Sequence, residues 1–284
     1  MEPVLHKNTA QAVKDFLNQP SHSLLITAPV GSGKFYIAQY IAQQLLGQKN
    51  LLSHPYFAHL QPEDNVIPID SVRQLKSFLQ LRTTGDKSIR RVVVIERAET
   101  MNAESQNATL KFIEEPPDDT VIILTASSPQ ALLPTIRSRL QHIVIQKPNE
   151  EQVLKHFENQ ASESELQKVY LMSNGHVGLM YALLQRDEEQ HPLVASIDTA
   201  KELYKQPTYE RLLRVNELSD TDLEVLCQGL YSVAHAALWI AVEKKNAPHI
   251  KKWYRTCQLI HSTQDELRYK PQTKLLLTNL LMNL

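Results

Sequence analysis

The sequence predicts an α/β domain built on a parallel sheet between helices, followed by segments that are helical only. Three observations carry this. Leu24-Leu25-Ile26-Thr27, Arg91-Val92-Val93-Val94-Ile95 and Val121-Ile122-Ile123-Leu124-Thr125 are short continuous apolar runs, the pattern of strands buried on both faces. Stretches with helical spacing separate them, and strands that alternate with helices favour parallel pairing. After about Gln146 the strand signal ends.

Taken in order, Ala12, Val13 and Phe16 give the stretch from Asn8 to Phe16 helical spacing, and Pro20-Ser21 breaks it. The first apolar run follows, then a loop from Ala28 to Gly33 and a helix from Lys34 to about Leu46. Residues 48–68 read as a loop, with prolines at 55, 62 and 68. Asp70 or Ser71 can cap a helix through Val72, Leu75, Phe78 and Leu79. The second apolar run precedes a helix from Ala103 to Glu114, which Pro116-Pro117 stops. The third run completes the α/β part. Glu150 to Gln160 and Glu163 to Met172 are amphipathic helical stretches, Gly175 and Gly178 punctuate the next junction, and the pattern from Pro192 onward is helical. The expected domains are 1–147, 148–190 and 191–284: an α/β domain, a small helical domain and a larger helical one.

A chain of 284 residues has room for about two domains at roughly 100–200 residues each. Its 30 Lys+Arg against 31 Asp+Glu leave a net charge of −1, without the basic excess that a protein neutralising many phosphates by itself carries. Solitary tight binding to DNA or RNA is therefore disfavoured. Cys227 and Cys257 cannot form a disulfide framework or a four-thiolate zinc site. Residues Met1 to Lys7 lack the apolar core of a signal peptide. The apolar stretch Leu230 to Val242 reads as a buried helix too short to span a bilayer. The expectation is a cytoplasmic protein with no membrane contact.

Ala28-Pro29-Val30-Gly31-Ser32-Gly33-Lys34-Phe35 lies between strand and helix, where a phosphate loop belongs. In a complete loop, backbone N–H groups cradle phosphates, the lysine reaches the β/γ oxygens and a following hydroxyl ligates magnesium. Gly31, Ser32, Gly33 and Lys34 are the candidate phosphate-binding residues here, but Ala28 replaces the first glycine and Phe35 the hydroxyl. A phenyl ring cannot bind a cation that takes oxygen ligands. The loop is a vestigial turn that joins strand to helix, a weak site for ATP or ADP, or a competent hydrolytic site, which the missing hydroxyl opposes. The strand Val92 to Ile95 leads into Glu96-Arg97, where an aspartate for the metal and a glutamate that activates water are usual. Glu96 can substitute for the first; Arg97 cannot act as a base at neutral pH.

Asn107-Ala108-Thr109-Leu110-Lys111-Phe112-Ile113-Glu114-Glu115-Pro116-Pro117 closely resembles the segment after the second metal motif of bacterial clamp-loader AAA+ ATPases. Leu133-Pro134-Thr135-Ile136-Arg137-Ser138-Arg139 resembles the same family's serine-arginine-cysteine motif, with Leu140 in place of the cysteine. His22, His54-Pro55 and Arg73 fall where the family places such residues, and Pro271 to Leu281 looks like the end of its collar domain. With its degenerate nucleotide site, the chain resembles the delta-prime branch of DNA polymerase III clamp loaders.

That resemblance implies an AAA+ P-loop module, a helical lid and a helical collar that supplies most of the assembly contact. It implies a non-motor subunit working beside gamma/tau-type ATPases and a delta-type clamp opener, which together place a sliding clamp on primed DNA. It implies that Arg139 serves as an arginine finger in trans, on nucleotide held by a neighbouring subunit. No cofactor is required on this reading, and the family's frequent four-cysteine zinc module is missing because neither cysteine lies in its region. Leu179 stands where the lid's sensor arginine would fall, and Thr125, Ser127 and Ser128 all lie near the polar sensor-one position.

The remaining polar features have plainer readings. Ser138 has no base beside it, the eleven histidines lack metal-binding spacing, and Glu114-Glu115 marks a helix end. Lys244-Lys245 and Lys251-Lys252 with Trp253-Tyr254 fit a solvated helix face. Two rival functions stand beside the delta-prime reading: an active gamma-type ATPase, opposed by Phe35 and Arg97, and an AAA+ adaptor in DNA repair.

Overall fold

The computed structural model describes residues 2–63, 65–185, 191–219, 222–267, 269 and 272–284. The chain divides into two compact units, Met1–Asn149 and Glu150–Leu284.

The first unit runs α1 (Lys7–Asn18), β1 (Ser23–Thr27), α2 (Lys34–Leu46), β2 (Phe57–Leu60), α3 (Ile69–Leu79), β3 (Arg91–Ile95), α4 (Ala103–Glu114), β4 (Thr120–Ala126), α5 (Pro134–Arg137) and β5 (Gln141–Val144). The strands form one parallel sheet in the order β2-β3-β4-β1-β5. Alternate residues of each continuous apolar run feed opposite cores, because successive strand side chains point to opposite faces. Leu24, Ile26, Val92, Val94, Val121 and Ile123 pack with Val13 and Phe16 of α1 and Ile37 and Ile41 of α2. Leu25, Val93, Ile95, Ile122 and Leu124 pack with Val72 and Leu75 of α3, Ile113 of α4 and Ile136 of α5.

Three local expectations need correction. Residues 48–68 contain a strand, β2, which pairs only with β3 and is half-buried throughout. A second strand, β5, closes the other edge with Ile143 as its one buried residue. Short edge strands buried on one side at most lack the continuous apolar run that marks β1, β3 and β4. The α3 cap is neither Asp70 nor Ser71: the helix starts at Ile69 after Pro68. Asp70 lies in the first turn, where a carboxylate meets the positive end of the helix dipole, and it accepts a hydrogen bond from Arg73 at 3.1 Å.

The second unit is helical among its described residues: α6 (Glu150–Phe157), α7 (Glu163–Met172), α8 (Val177–Gln185), α9 (Pro192–Lys205), α10 (Thr208–Leu213), α11 (Val215–Leu218), α12 (Leu223–Glu243), α13 (Ala247–Leu267) and α14 (Thr273–Asn283). Gly175 takes a left-handed φ of 65° ahead of α8, whereas Gly178 lies inside that helix and punctuates nothing. The expected lid and collar both fall in this unit. Residues 186–190 at their expected boundary, and Pro271 at the start of the collar-like segment, lie outside the described residues.

The apolar stretch at Leu230–Val242 belongs to a helix of 21 residues, long and apolar enough by length and composition to cross a bilayer. The argument from shortness therefore fails. Packing accounts for part of the apolar character: Leu223, Leu226, Cys227, Leu230 and Ala234 of α12 meet Ala200 and Leu203 of α9, Ile260 of α13 and Leu276, Leu277 and Leu280 of α14, while Trp239 and Val242 are 49% and 46% exposed.

Candidate functional site

The loop between β1 and α2 has the backbone of a phosphate cradle. Gly31 and Gly33 adopt left-handed φ values of 84° and 83°, and Gly33 is the N-cap of α2. Residues with a Cβ rarely enter that region, so both glycines are required by conformation. Lys34 folds back onto the loop, its Nζ donating to the carbonyls of Ala28 at 2.8 Å and Pro29 at 3.1 Å. Burial pushes the Lys34 ammonium below its usual pKa, and the charge of Arg97 adds to this. The carboxylates of Glu99 and Glu96 oppose it without cancelling it. Ser32 Oγ is buried without a hydrogen-bond partner.

The residue after Lys34 determines what else fits. Phe35 stacks on His59, with ring centroids 4.3 Å apart and planes at 21°. His59 is brought there by β2: the parallel register sets Leu60 beside Ile95, and Glu96 N–H donates to the Leu60 carbonyl at 2.8 Å. Across that pairing, His59 Nε2 and Glu96 Oε2 lie 3.1 Å apart. The carboxylate expected to support a metal is thus engaged by an imidazole, and the hydroxyl's place is taken by a ring stacked on that imidazole. The glycine loop and Lys34 suit phosphate oxygens; the group Phe35, His59 and Glu96 does not suit magnesium.

Arg97 occupies a left-handed conformation with φ 50°. Its N–H donates to Thr125 Oγ1 at 3.0 Å, and its guanidinium donates to Asn65 Oδ1 at 3.1 Å. The three sensor-one candidates separate here. Thr125 is buried within β4 and holds the Arg97 backbone, while Ser127 N–H donates to Glu99 Oε1 at 3.1 Å. Ser128 precedes the short helical turn Pro129–Ala131. His59 and Glu99 were not among the sequence candidates, since His59 sits in a segment read as loop and Glu99 outside any motif.

Arg139 lies just past α5. Ile136 anchors α5 in the core, and Leu133 N–H donates to Gln106 Oε1 of α4 at 2.9 Å. Arg139 Nε lies 2.8 Å from Glu114 Oε1, and Nη1 donates to the Thr135 carbonyl at 2.9 Å and to Ser138 Oγ at 3.2 Å. Ser138 Oγ donates to the Thr135 carbonyl at 3.1 Å, a bond that orders the turn.

Other residues singled out by resemblance have local partners. His54 Nδ1 accepts from Tyr56 N–H at 3.2 Å, and the His22 carbonyl accepts from Ile122 N–H at 2.9 Å. Arg73 pairs with Asp70 and lies 3.9 Å from Glu104. In the second unit Leu179 is 2% exposed, packed with Leu193, Val194 and Ile197. Burial pushes the Cys227 thiol up to about 12 and raises that of Cys257, which keeps both protonated. Among the described residues no three His, Cys, Asp or Glu side chains gather as a metal site.

The family described as DNA polymerase III, delta subunit, matches residues 5–149, slightly more than half of the chain and the whole α/β unit but its first residues. This chain belongs to that family. A DNA polymerase III subunit delta' from Pseudomonas aeruginosa is 40% identical over 139 residues, covering 43% of this chain and 42% of that protein. One from Escherichia coli K12 is 30% identical over 191 residues, covering 60% and 56%. The matched stretch spans about half the length of these curated relatives. A Thermotoga maritima protein described as DNA polymerase III gamma subunit-related aligns over 96% of this chain and 97% of its own, with a TM-score of 0.63 at 20% identity. That likeness establishes the fold: an α/β module on a parallel sheet, followed by a helical C-terminal region.

Proposed function

We propose that this chain is a non-motor, delta-prime-like subunit of the replicative DNA polymerase III clamp loader. It acts beside gamma/tau-type ATPases and a delta-type clamp opener, helps place the sliding clamp on primed DNA, and works in the cytoplasm. Membership of the delta-subunit family supports the assembly. The observation that carries the non-motor part is the Phe35–His59–Glu96 group, which fills the place of a metal site with a ring stack and a carboxylate–imidazole contact. The chain requires neither nucleotide nor zinc on this reading, and Gly31, Ser32, Gly33 and Lys34 retain weak affinity for ATP or ADP at most.

Arg139 then has its use outside the chain. A guanidinium presents a planar set of donors that stabilises charge on transferring phosphoryl oxygens, and it is always charged. Arg139 is 42% exposed, accessible to nucleotide bound by a neighbouring subunit.

Reconstitution with the motor and clamp-opening subunits tests this. Arg139→Ala lowers DNA-stimulated ATP hydrolysis and clamp loading while the assembly survives. Arg139→Lys rescues poorly, since an ammonium lacks the planar fork. Lys34→Ala leaves both activities near the unmutated level. Clamp loading at full rate by Arg139→Ala assemblies would remove the trans role, and failure of the chain to join the assembly would remove the clamp-loader reading altogether.

A further inference from the structure

Arg139 is a surface arginine with a fixed address. Its Nε meets Glu114 Oε1 at 2.8 Å, while Nη1 is shared between the Thr135 carbonyl and Ser138 Oγ. These contacts engage Nε and one terminal nitrogen. Among the described residues Nη2 has no hydrogen-bond partner, and two N–H donors stay available on a side chain that is 42% exposed.

Glu114 is placed unusually for a carboxylate. It is the last residue of α4, at the negative end of the helix dipole, where acidic residues are disfavoured. An arginine drawn to that position answers the mismatch. The same helix holds the start of α5 through Gln106 and Leu133. One rigid element therefore sets both the segment that carries Arg139 and the direction of its guanidinium.

We propose that Glu114 is the positioning residue for Arg139: it grips Nε and leaves Nη2 presented for phosphoryl oxygens on a neighbouring subunit. The inference rests on the trans role proposed above. A long flexible side chain that must meet a transition state loses rotamer freedom at that moment, and an anchor removes this cost in advance. Glu114 touches no substrate; it acts through the arginine.

The test is a double-mutant cycle in the reconstituted clamp loader, read as DNA-stimulated ATP hydrolysis. Glu114→Ala lowers the rate toward that of Arg139→Ala, by at most about 10²-fold at the site served, the scale of an ångström's misplacement. Glu114→Gln falls with Glu114→Ala, because the contact is an ion pair and an amide carries no charge to hold the guanidinium. Glu114→Ala combined with Arg139→Ala is no slower than Arg139→Ala alone. In the isolated chain, the Arg139 Nε–H resonance shifts alike in Glu114→Gln and Glu114→Ala, which reads the ion pair without any partner. A Glu114→Ala assembly as fast as the unmutated one, beside an impaired Arg139→Ala assembly, would overturn the positioning role and leave the trans role standing. Losses that multiply in the double variant would overturn it too. An unimpaired Arg139→Ala assembly would take away the trans role and this inference with it.

Discussion

Phe35 lies face to face with His59, ring centroids 4.3 Å apart, at the position where a phosphate loop presents its metal-binding hydroxyl. The imidazole it covers is 3.1 Å from Glu96, so one contact links the loss of the hydroxyl to the engagement of the carboxylate. Phe35 and Glu96, which the sequence places 61 residues apart, are thus one structural unit through His59.

Restoring the hydroxyl alone should not restore hydrolysis. Phe35→Thr leaves Glu96 facing His59 and Arg97 in the place of the base, so phosphate release by the isolated chain stays at background in both the unmutated protein and the variant. Turnover that Lys34→Ala abolishes, in either one, would contradict this.

The stack itself should be measurable. Phe35→Leu, His59→Leu and the double variant, compared by urea unfolding, should give a coupling of about 0.5–1.5 kcal/mol, the range for aromatic pairs. A coupling indistinguishable from zero would mean that the rings are merely adjacent.

Gly229 in α12 should resist even a methyl group. A Cβ there would overlap Ser196 Oγ and come within 2.7 Å of the Ser196 backbone carbon and oxygen on α9. Ser196 Oγ already donates to the Val225 carbonyl at 2.7 Å, so the two helices are locked at this point. Overpacking costs about 1–3 kcal/mol, against about 0.5–1 kcal/mol that alanine returns in a helix interior. Gly229→Ala should lower the urea midpoint, and adding Ser196→Gly should recover only part of the loss because the backbone clash remains.

Acid should weaken the α/β unit through Asp119. Burial pushes this carboxyl up, but hydrogen bonds from Thr83, Arg90 and Thr120 and the charge of Arg91 outweigh it and hold the group below its usual 3.8. A carboxylate whose folded value is depressed stabilises the fold above its unfolded value, and that stabilisation disappears as pH falls through the folded value. Thermal unfolding midpoints should drop as pH descends from 3.8, and Asp119→Asn should be less stable at neutral pH and flatter in that acid range. An Asp119→Asn curve parallel to the unmutated one would exclude this carboxylate as the source.

Much of the α/β unit was legible because its signals are local. Val92, Val93 and Val94 sit in one run, and a strand buried on both faces needs nothing else to be recognised. Phe57-Ala58-His59-Leu60 has no such run, since an edge strand buries less, and its place in the sheet depends on where β3 lies. The phosphate loop was legible as a motif with two defects, at Ala28 and Phe35; that His59 joins Phe35 to Glu96 was not, because His59 and Glu96 stand 37 residues apart and meet only through strand pairing.

By itself the sequence determined the parallel sheet's three central strands, the glycine loop, the loss of hydroxyl and base at Phe35 and Arg97, and the two motifs that carry Glu114 and Arg139. These follow from residue type and short spacing, which fix local conformation and chemical capability. Only the tertiary structure decided which partners these residues take: Phe35 on His59, Glu96 beside His59, Arg139 on Glu114. Such pairings are set by sheet order and helix placement, because the free energy of a contact depends on which distant segments packing brings within reach, and no local pattern encodes that.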